Sequence, residues 1–568
     1  MAESYSLSQK SVVNINRDQL ISGLFLLCFY VVTAGLYPLT VPDEGRYPSI
    51  ALAMLQRKDY INTMLNGGLF IDKPVLFYWL EALSMSVLGV NEWSIRLPVI
   101  LTGIFAVLLT QRVTTIFYGR RTGWLAALIL GTSLLYYASS HYAAMDLEVA
   151  VWVSASLFFA LLGLQHPAKN KRRMLFYTAY FFAALAMLTK GLIGILFPAM
   201  ILGLYSLLSG RWQLIKMIFL PSGLCIFFVL CAPWFILMQI KHPFFFHYFF
   251  VYQHFIRFTH SGFNNSLPFW FYLPVVFFGL FPWSFFIINA IKDSLKSYAK
   301  DQVAFYCGIW VLAIFIFFSI PDSKPVTYIM PVFPPLALLL AKETDKWLNK
   351  KALCIVSCVL SVIILLAGLA ILLCTLLKWL LPSSLQQSFY LAMVAVILII
   401  GAITTLTFSL KKCRTAIFTT VTTALILILI LAANIAGQFN QNSSRSLALL
   451  VKNKITPETQ IINYRRYYYD LPLYLQNTQP IKVVYDWRNE KKILHSDNWK
   501  HELYLGMQYT PEAKKNLILP AELRSVLKKP SYLFTHIGYV DELLNNYPLS
   551  LISTSGNIAL LSNHNMIP

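Results

Sequence analysis

Residues 353–377 read Leu-Cys-Ile-Val-Ser-Cys-Val-Leu-Ser-Val-Ile-Ile-Leu-Leu-Ala-Gly-Leu-Ala-Ile-Leu-Leu-Cys-Thr-Leu-Leu, with no charged side chain among them. A helix rises about 1.5 Å per residue, so about 20 apolar residues cross the ~30 Å hydrocarbon core of a bilayer. The stretch reads as a transmembrane helix, and runs like it fill most of the chain. The other predicted spans are 20–40, 97–117, 122–139, 147–164, 174–188, 191–208, 217–239, 269–291, 303–319, 325–341, 386–409 and 416–435, thirteen in all. The apolar run 75–90 is short and reads as a re-entrant or interfacial helix.

Composition agrees. Of 568 residues 57% are hydrophobic and only 12% charged, with a mean hydropathy of +0.61. Soluble domains carry roughly 25% charged residues, so a water-soluble globular protein is excluded, and so is a disordered one. The eight cysteines, Cys28, Cys225, Cys231, Cys307, Cys354, Cys358, Cys374 and Cys413, show no metal-site spacing, and none lies after residue 436. Neither a disulfide framework nor a zinc module is expected. The N-terminus lacks a short apolar run ending in small residues, so the first span reads as a signal anchor.

The net charge of +21 is dispersed. Twenty Lys and Arg residues fall in the N-terminus and one set of loops, against five in the short loops of the opposite side beyond the first. Positive charge marks the cytoplasmic side, so the N-terminus (1–19) is expected in the cytoplasm. The transmembrane domain is 20–435. Its first loop, 41–96, and the tail, 436–568, fall on the far, periplasmic or lumenal, side. No single basic patch exists, so nucleic acid is excluded as a partner. The tail is richer in charge, Tyr, Asn and Pro. Runs such as Ile481–Tyr485 and Ser531–Thr535 look like strands, and Pro511–Leu519 and Val540–Asn546 like helices, so a small α/β domain is expected there. There is no internal repeat.

Ionisable residues at membrane level cost roughly 2.5–3.5 kcal/mol each and mark sites. The first far-side cluster is Val41-Pro-Asp-Glu-Gly-Arg-Tyr47. Tyr47, Ile50, Ala51, Met54 and Leu55 follow at helical spacing, which predicts an amphipathic helix lying on the membrane. Asp43 serves either as its cap or in chemistry. Next come Asp72-Lys-Pro74, where Lys73 either meets a lipid phosphate or snorkels to water; His141-Tyr-Ala-Ala-Met-Asp146, where Asp146 is a cap or a site residue; and His254 with Arg257, one turn apart in an aromatic loop. The last is Lys324 with Tyr328. Asp43 or Glu44 with Lys73, Arg257 and Lys324 would put a carboxylate beside phosphate-binding cations, which suits transfer at a phosphate held in lipid.

Several of these pieces together resemble the lipid A 4-amino-4-deoxy-L-arabinose transferases, undecaprenyl-phosphate-dependent aminosugar transferases of Gram-negative bacteria in the protein O-mannosyltransferase superfamily. They are Pro42–Tyr47, Asp72-Lys-Pro74 with Tyr78-Trp79, Tyr142–Asp146, Leu188-Thr-Lys-Gly191, His247–Phe250 with His254 and Arg257, Pro268–Tyr272, Pro282-Trp283 and Lys324–Tyr328. Their order and spacing follow the family across roughly residues 20–335; later spans and the tail match in layout only. Gly45 and Pro48 are unusual for the family, Asp72 stands where it more often has Glu, and Gln253 where it usually has Glu.

The resemblance implies an all-α polytopic membrane fold of GT-C type with about thirteen spans and a periplasmic C-terminal α/β domain, in the bacterial inner membrane. It implies Asp43 as catalytic carboxylate, Asp146 as second acid, and Lys73 on the carrier phosphate with Arg257 close by. Glu44, Arg46, Tyr47, Lys324 and Tyr328 are expected around the substrates, and Asp72 and His254 where the family holds a divalent metal (Zn, or Mg/Mn). The donor would be an aminosugar, 4-amino-4-deoxy-L-arabinose or a similar one, on undecaprenyl phosphate, and the acceptor a lipid A phosphate. The chain would act as a monomer without a nucleotide, in keeping with the lack of a Gly-rich phosphate loop. Two alternatives stay open: a polyprenyl-phosphate-mannose-dependent protein O-mannosyltransferase, and a non-catalytic transporter of lipid-linked sugar.

Overall fold

The computed structural model describes residues 17–256, 267–297, 300–347, 352–377, 385–477, 479–494 and 498–564. Eight of the described helices are long and apolar enough to cross a membrane, ten if two bent pairs each form one span. The pairs are Arg120–Thr132 with Leu134–Ser140, bent by 65°, and Tyr272–Gly279 with Trp283–Lys296, bent by 118°. The remaining three predicted spans fall in helices that do not meet that test. Lys169–Lys190 starts with four basic residues, Ile193–Leu208 has only 16 residues, and the described apolar part of Arg414–Phe439 is Thr419–Ala432. Among the described residues, eight to ten of the thirteen expected spans are thus established by length and composition.

The elements that build the site lie early in the chain: α1 (Arg17–Ala34), α2 (Asp43–Arg57), α3 (Leu76–Leu88) and α4 (Glu92–Tyr118). Asn91 starts α4 with a reciprocal cap. Its side chain accepts from the Ser94 N–H at 2.9 Å, while its own N–H donates to Ser94 Oγ at 3.2 Å. Such caps set where a helix begins, and this one places Arg96 one turn inside. Helix α2 forms as its apolar spacing predicts, but its apolar face does not lie on lipid. Tyr47, Ile50, Ala51 and Met54 are buried in the protein core, with Tyr47 edge-on to Phe77 of α3. Helix α3, at 13 residues, is too short to span.

The tail carries a six-stranded sheet in the order Leu517–Ile518, Lys482–Val484, Gln460–Tyr464, Ser531–His536, Ile558–Ser562, Ser550–Ser555. The first four strands are parallel and the last two pair antiparallel. Both predicted strands and the helix Val540–Asn546 are present. Pro511–Leu519 differs, forming a 3-10 turn (Pro511–Asn516) that runs into the edge strand.

The tail clamps the first loop. Ser49 Oγ donates to the Tyr469 carbonyl at 2.9 Å, the Leu39 N–H to the Tyr474 hydroxyl at 2.9 Å, and Asn66 exchanges two hydrogen bonds with the Ile481 backbone at 2.9 and 2.7 Å. Gly45 explains itself here. A Cβ on it would stand 2.6 Å from the backbone of Tyr469 and Asp470, so only glycine lets α2 and the tail touch. Gly45→Val should cost on the order of 1–3 kcal/mol, read as a lower thermal midpoint and faster proteolysis of the tail.

Asp470, fully buried beside this contact, accepts from the Ser444 N–H at 2.8 Å and the Ser443 hydroxyl at 3.2 Å. Burial outweighs these bonds and pushes its carboxyl up to about 6 from 3.8. The folded state therefore holds this proton more tightly than the unfolded one. Its ionisation costs about 3 kcal/mol above pH 6, a cost relieved as pH falls from 6 toward 4. Comparison of thermal midpoints at pH 7.5 and 5 should show this gain, and Asp470→Asn should remove it.

Candidate active site

Asp43 opens α2, and Glu44 follows about 100° round the helix, so the two acids face different surroundings. Glu44 is fully buried. Arg96 donates to its two oxygens at 2.7 Å each, and the Ala143 and Thr40 N–H groups add bonds at 2.9 and 2.8 Å. The same guanidinium donates to the carbonyls of Ala34, Tyr37 and Pro38. Glu44 is thus a structural ion and does not line the cavity; its expected place with the substrates is corrected. A buried carboxylate needs such a partner set, and Arg96 supplies it.

Asp43 faces the other way, into a cavity of about 610 Å³. Its carboxylate makes no cap. It pairs with Arg46 and accepts from the Tyr142 hydroxyl at 3.1 Å. Arg46 also pairs with Glu502 of the tail, and the Tyr469 hydroxyl donates to Glu502. Burial works against the Arg46 charge, but Glu502 and Asp43 outweigh it and hold the guanidinium well above its ordinary range.

The opposite wall carries Asp146, at the start of α7 (Met145–Gln165) after the short helices α5 (Arg120–Thr132) and α6 (Leu134–Ser140). Asp146 does not cap α7 either. It pairs with Lys190 and accepts from the Thr327 hydroxyl. Lys190 ends α8 (Lys169–Lys190), and its Nζ stands 4.0 Å above the Tyr328 ring. Lys73, Asp72, Tyr47 and Tyr328 also line the cavity.

Of the other expected residues, Lys324 is buried away from the cavity. Its Nζ donates to the carbonyls of Leu267, at 2.8 Å, and Pro321, so it pins a loop, which corrects its expected place with the substrates. Arg257 lies outside the described residues, as does the side chain of His254. Asp72 accepts from the Tyr248 hydroxyl at 2.6 Å and the Gln253 amide at 2.9 Å. Two neutral donors thus bind its Oδ1, and no three His, Cys, Asp or Glu side chains converge among the described residues.

Sequence reasoning missed the roof. The tail lends Arg466, Tyr467, Tyr468, Tyr469, His501 and Glu502 to the cavity wall. Tyr467–Tyr469 follow the parallel strand Gln460–Tyr464, and His501 and Glu502 sit in the first turn of Trp499–Gln508, past the next parallel strand, Lys482–Val484. Loops beyond the C-terminal ends of parallel strands are where open α/β sheets place their sites. Arg466 forms no ion pair among the described residues.

A family of dolichyl-phosphate-mannose-protein mannosyltransferases matches residues 72–237. An undecaprenyl phosphate-alpha-4-amino-4-deoxy-L-arabinose arabinosyl transferase of Pectobacterium carotovorum is 32% identical over 334 residues, 59% of this chain and 60% of the relative. One from Aeromonas salmonicida is 30% identical over 56% of this chain and 58% of the relative. The chain thus spans about 60% of the length of the curated relatives it matches. The crystal structure of ArnT from Cupriavidus metallidurans bound to undecaprenyl phosphate superposes with a TM-score of 0.83 at 22% identity, covering 96% of this chain and 98% of that one. The fold is the GT-C fold of ArnT. The relatives bear out the resemblance that the motifs carry. The oligosaccharyltransferase of Archaeoglobus fulgidus is more distant, with a TM-score of 0.50 and 13% identity, covering 92% of this chain and 69% of that one.

The buried pair gives a stability test. Arg96→Met leaves the buried Glu44 without its partner, at about 3–5 kcal/mol, and should lower the unfolding midpoint sharply; adding Glu44→Gln should restore part of the loss.

Proposed function

We propose that this chain is an inner-membrane glycosyltransferase that moves an aminosugar, 4-amino-4-deoxy-L-arabinose or a near relative, from undecaprenyl phosphate to a phosphate of lipid A. The observation that carries the reading is one cavity in which Asp43, Asp146 and Glu502 meet Lys73 and Arg466. The charge asymmetry of the loops supports a cavity opening on the periplasmic side.

The chemistry is an exchange of phosphate esters. The bond from the sugar anomeric carbon to the carrier phosphate oxygen breaks, and an oxygen of the acceptor phosphate forms the new bond to that carbon. The carrier leaves as undecaprenyl phosphate with the bonding electron pair. The acceptor is already anionic at neutral pH, so no general base is required. Positive charge grows on the sugar ring as the old bond opens, and the Asp43 carboxylate, oriented by Arg46 and Tyr142, stabilises it. Lys73 holds the departing phosphate. Arg466 meets the acceptor phosphate from the tail side. Asp146, neutralised by Lys190, shapes the wall between them. A serine or threonine acceptor would also need a base to take its hydroxyl proton, which an anionic phosphate does not.

Lipid A mass spectra from a strain lacking the gene, complemented with wild type, Asp43→Asn or Lys73→Ala, test this. Wild type should restore the mass of one aminosugar. Each variant should lower transfer by about a hundredfold or more, the size of one lost transition-state charge contact, with folded protein present at wild-type level. Unchanged lipid A together with altered periplasmic glycoproteins would favour a protein acceptor instead.

A further inference from the structure

We infer that Glu502, carried by the tail, completes a subsite for the ammonium group of the donor sugar. The inference rests on the donor assignment above and concerns which sugar the cavity accepts. Arg46 is one guanidinium between two carboxylates from distant parts of the chain, Asp43 and Glu502. The triad therefore carries one net negative charge. It is within reach of a ligand: the Asp43 and Glu502 side chains keep 29% and 14% of their exposure and both line the cavity.

The other acids are satisfied differently. Asp146 has its own cation in Lys190, and Asp72 is bound by a tyrosine hydroxyl and an amide. Four acids and four Lys or Arg bases line the cavity among the described residues, so its charges balance as a whole, while the triad where the tail meets α2 is locally negative. The surroundings there suit a cation. The Tyr47 and Tyr469 rings flank Arg46, 4.8 and 6.0 Å from its guanidinium carbon, and aromatic faces attract positive charge. A phosphate would be repelled by the two carboxylates, and a neutral hydroxyl would leave the net charge uncompensated. A protonated aliphatic amine, the form such amines take at neutral pH, is matched by both. Phosphates are left to Lys73 and Arg466, which line the same cavity.

The test compares two ligands on purified protein: undecaprenyl phosphate alone, and undecaprenyl phosphate bearing 4-amino-4-deoxy-L-arabinose. Wild type should bind the aminosugar form more tightly. Glu502→Gln should weaken that form by about ten- to a hundredfold, the size of a charged hydrogen bond, and leave undecaprenyl phosphate unaffected. Glu502→Asp, which keeps the charge, should retain most of the preference and serves where Glu502→Gln does not fold. Equal weakening of both ligands, or no change in either, overturns the inference and assigns Glu502 a purely structural part. Transfer to lipid A is read separately, so absence of transfer by a wild type that prefers the aminosugar form would remove the proposed acceptor and leave this subsite standing.

Discussion

The arrangement depends on one guanidinium, Arg96, buried with no exposure left to water. It spends its donors on both oxygens of Glu44 and on the carbonyls of Ala34, Tyr37 and Pro38. Those carbonyls belong to the end of α1 and the turn that leaves it. The single side chain therefore fixes where α1 stops, how the chain turns and which way α2 sets off. With Glu44 locked inward, the helix rotation leaves Asp43 no direction but the cavity. A buried charge is an expensive way to stabilise a fold. It is a good way to impose one orientation, because every other rotation of α2 leaves two ions unpaired.

The second constraint is that neither half of the protein has a complete cavity. The membrane helices provide a floor of Asp43, Lys73, Asp146 and Lys190, and the tail provides the roof. The halves are held together by backbone contact at Gly45, by hydrogen bonds from the first loop and by the Arg46–Glu502 pair. One hydrophobic core runs through both. The roof sets Tyr467, Tyr468, Tyr469 and Trp499 against the charged groups of the same cavity.

Sequence legibility follows the range of the interactions. The apolar runs are local, so the helices could be placed. The far-side clusters sit beside span ends, so Asp43, Arg46, Tyr47, Asp72, Lys73, Asp146 and Tyr328 could be picked out as a group. Glu44 could not be separated from Asp43, because the partner that decides it lies 52 residues on. Lys324 failed for a similar reason: a lysine before proline looks the same whether its amine meets a phosphate or loop carbonyls. Lys190 was readable. α7 and α8 form an antiparallel hairpin, so an acid at the start of the first faces a base at the end of the second. The tail residues left no local signal, since strand order alone brings Tyr467–Tyr469 and Glu502 over Asp43 and Arg46, more than 400 residues earlier.

Charge compensation then ranks the acids of the cavity. Asp146 meets a lysine and a hydroxyl, and its negative charge is spent within the wall. Asp72 meets neutral donors at Oδ1, which orient it among aromatic side chains. Asp43 and Glu502 divide one cation, Arg46, between two carboxylates. A sugar losing its phosphate gains positive charge gradually, and the group best able to respond is one whose field is already negative and fixed before the bond opens. Under the proposed function Asp43 is such a group, because Glu502 takes part of Arg46 from it. A fully paired Asp43 would be as well oriented but electrically silent. Under the proposed function the tail thus bears on the site through Arg466, toward the acceptor phosphate, and through the competition of Glu502 for one guanidinium.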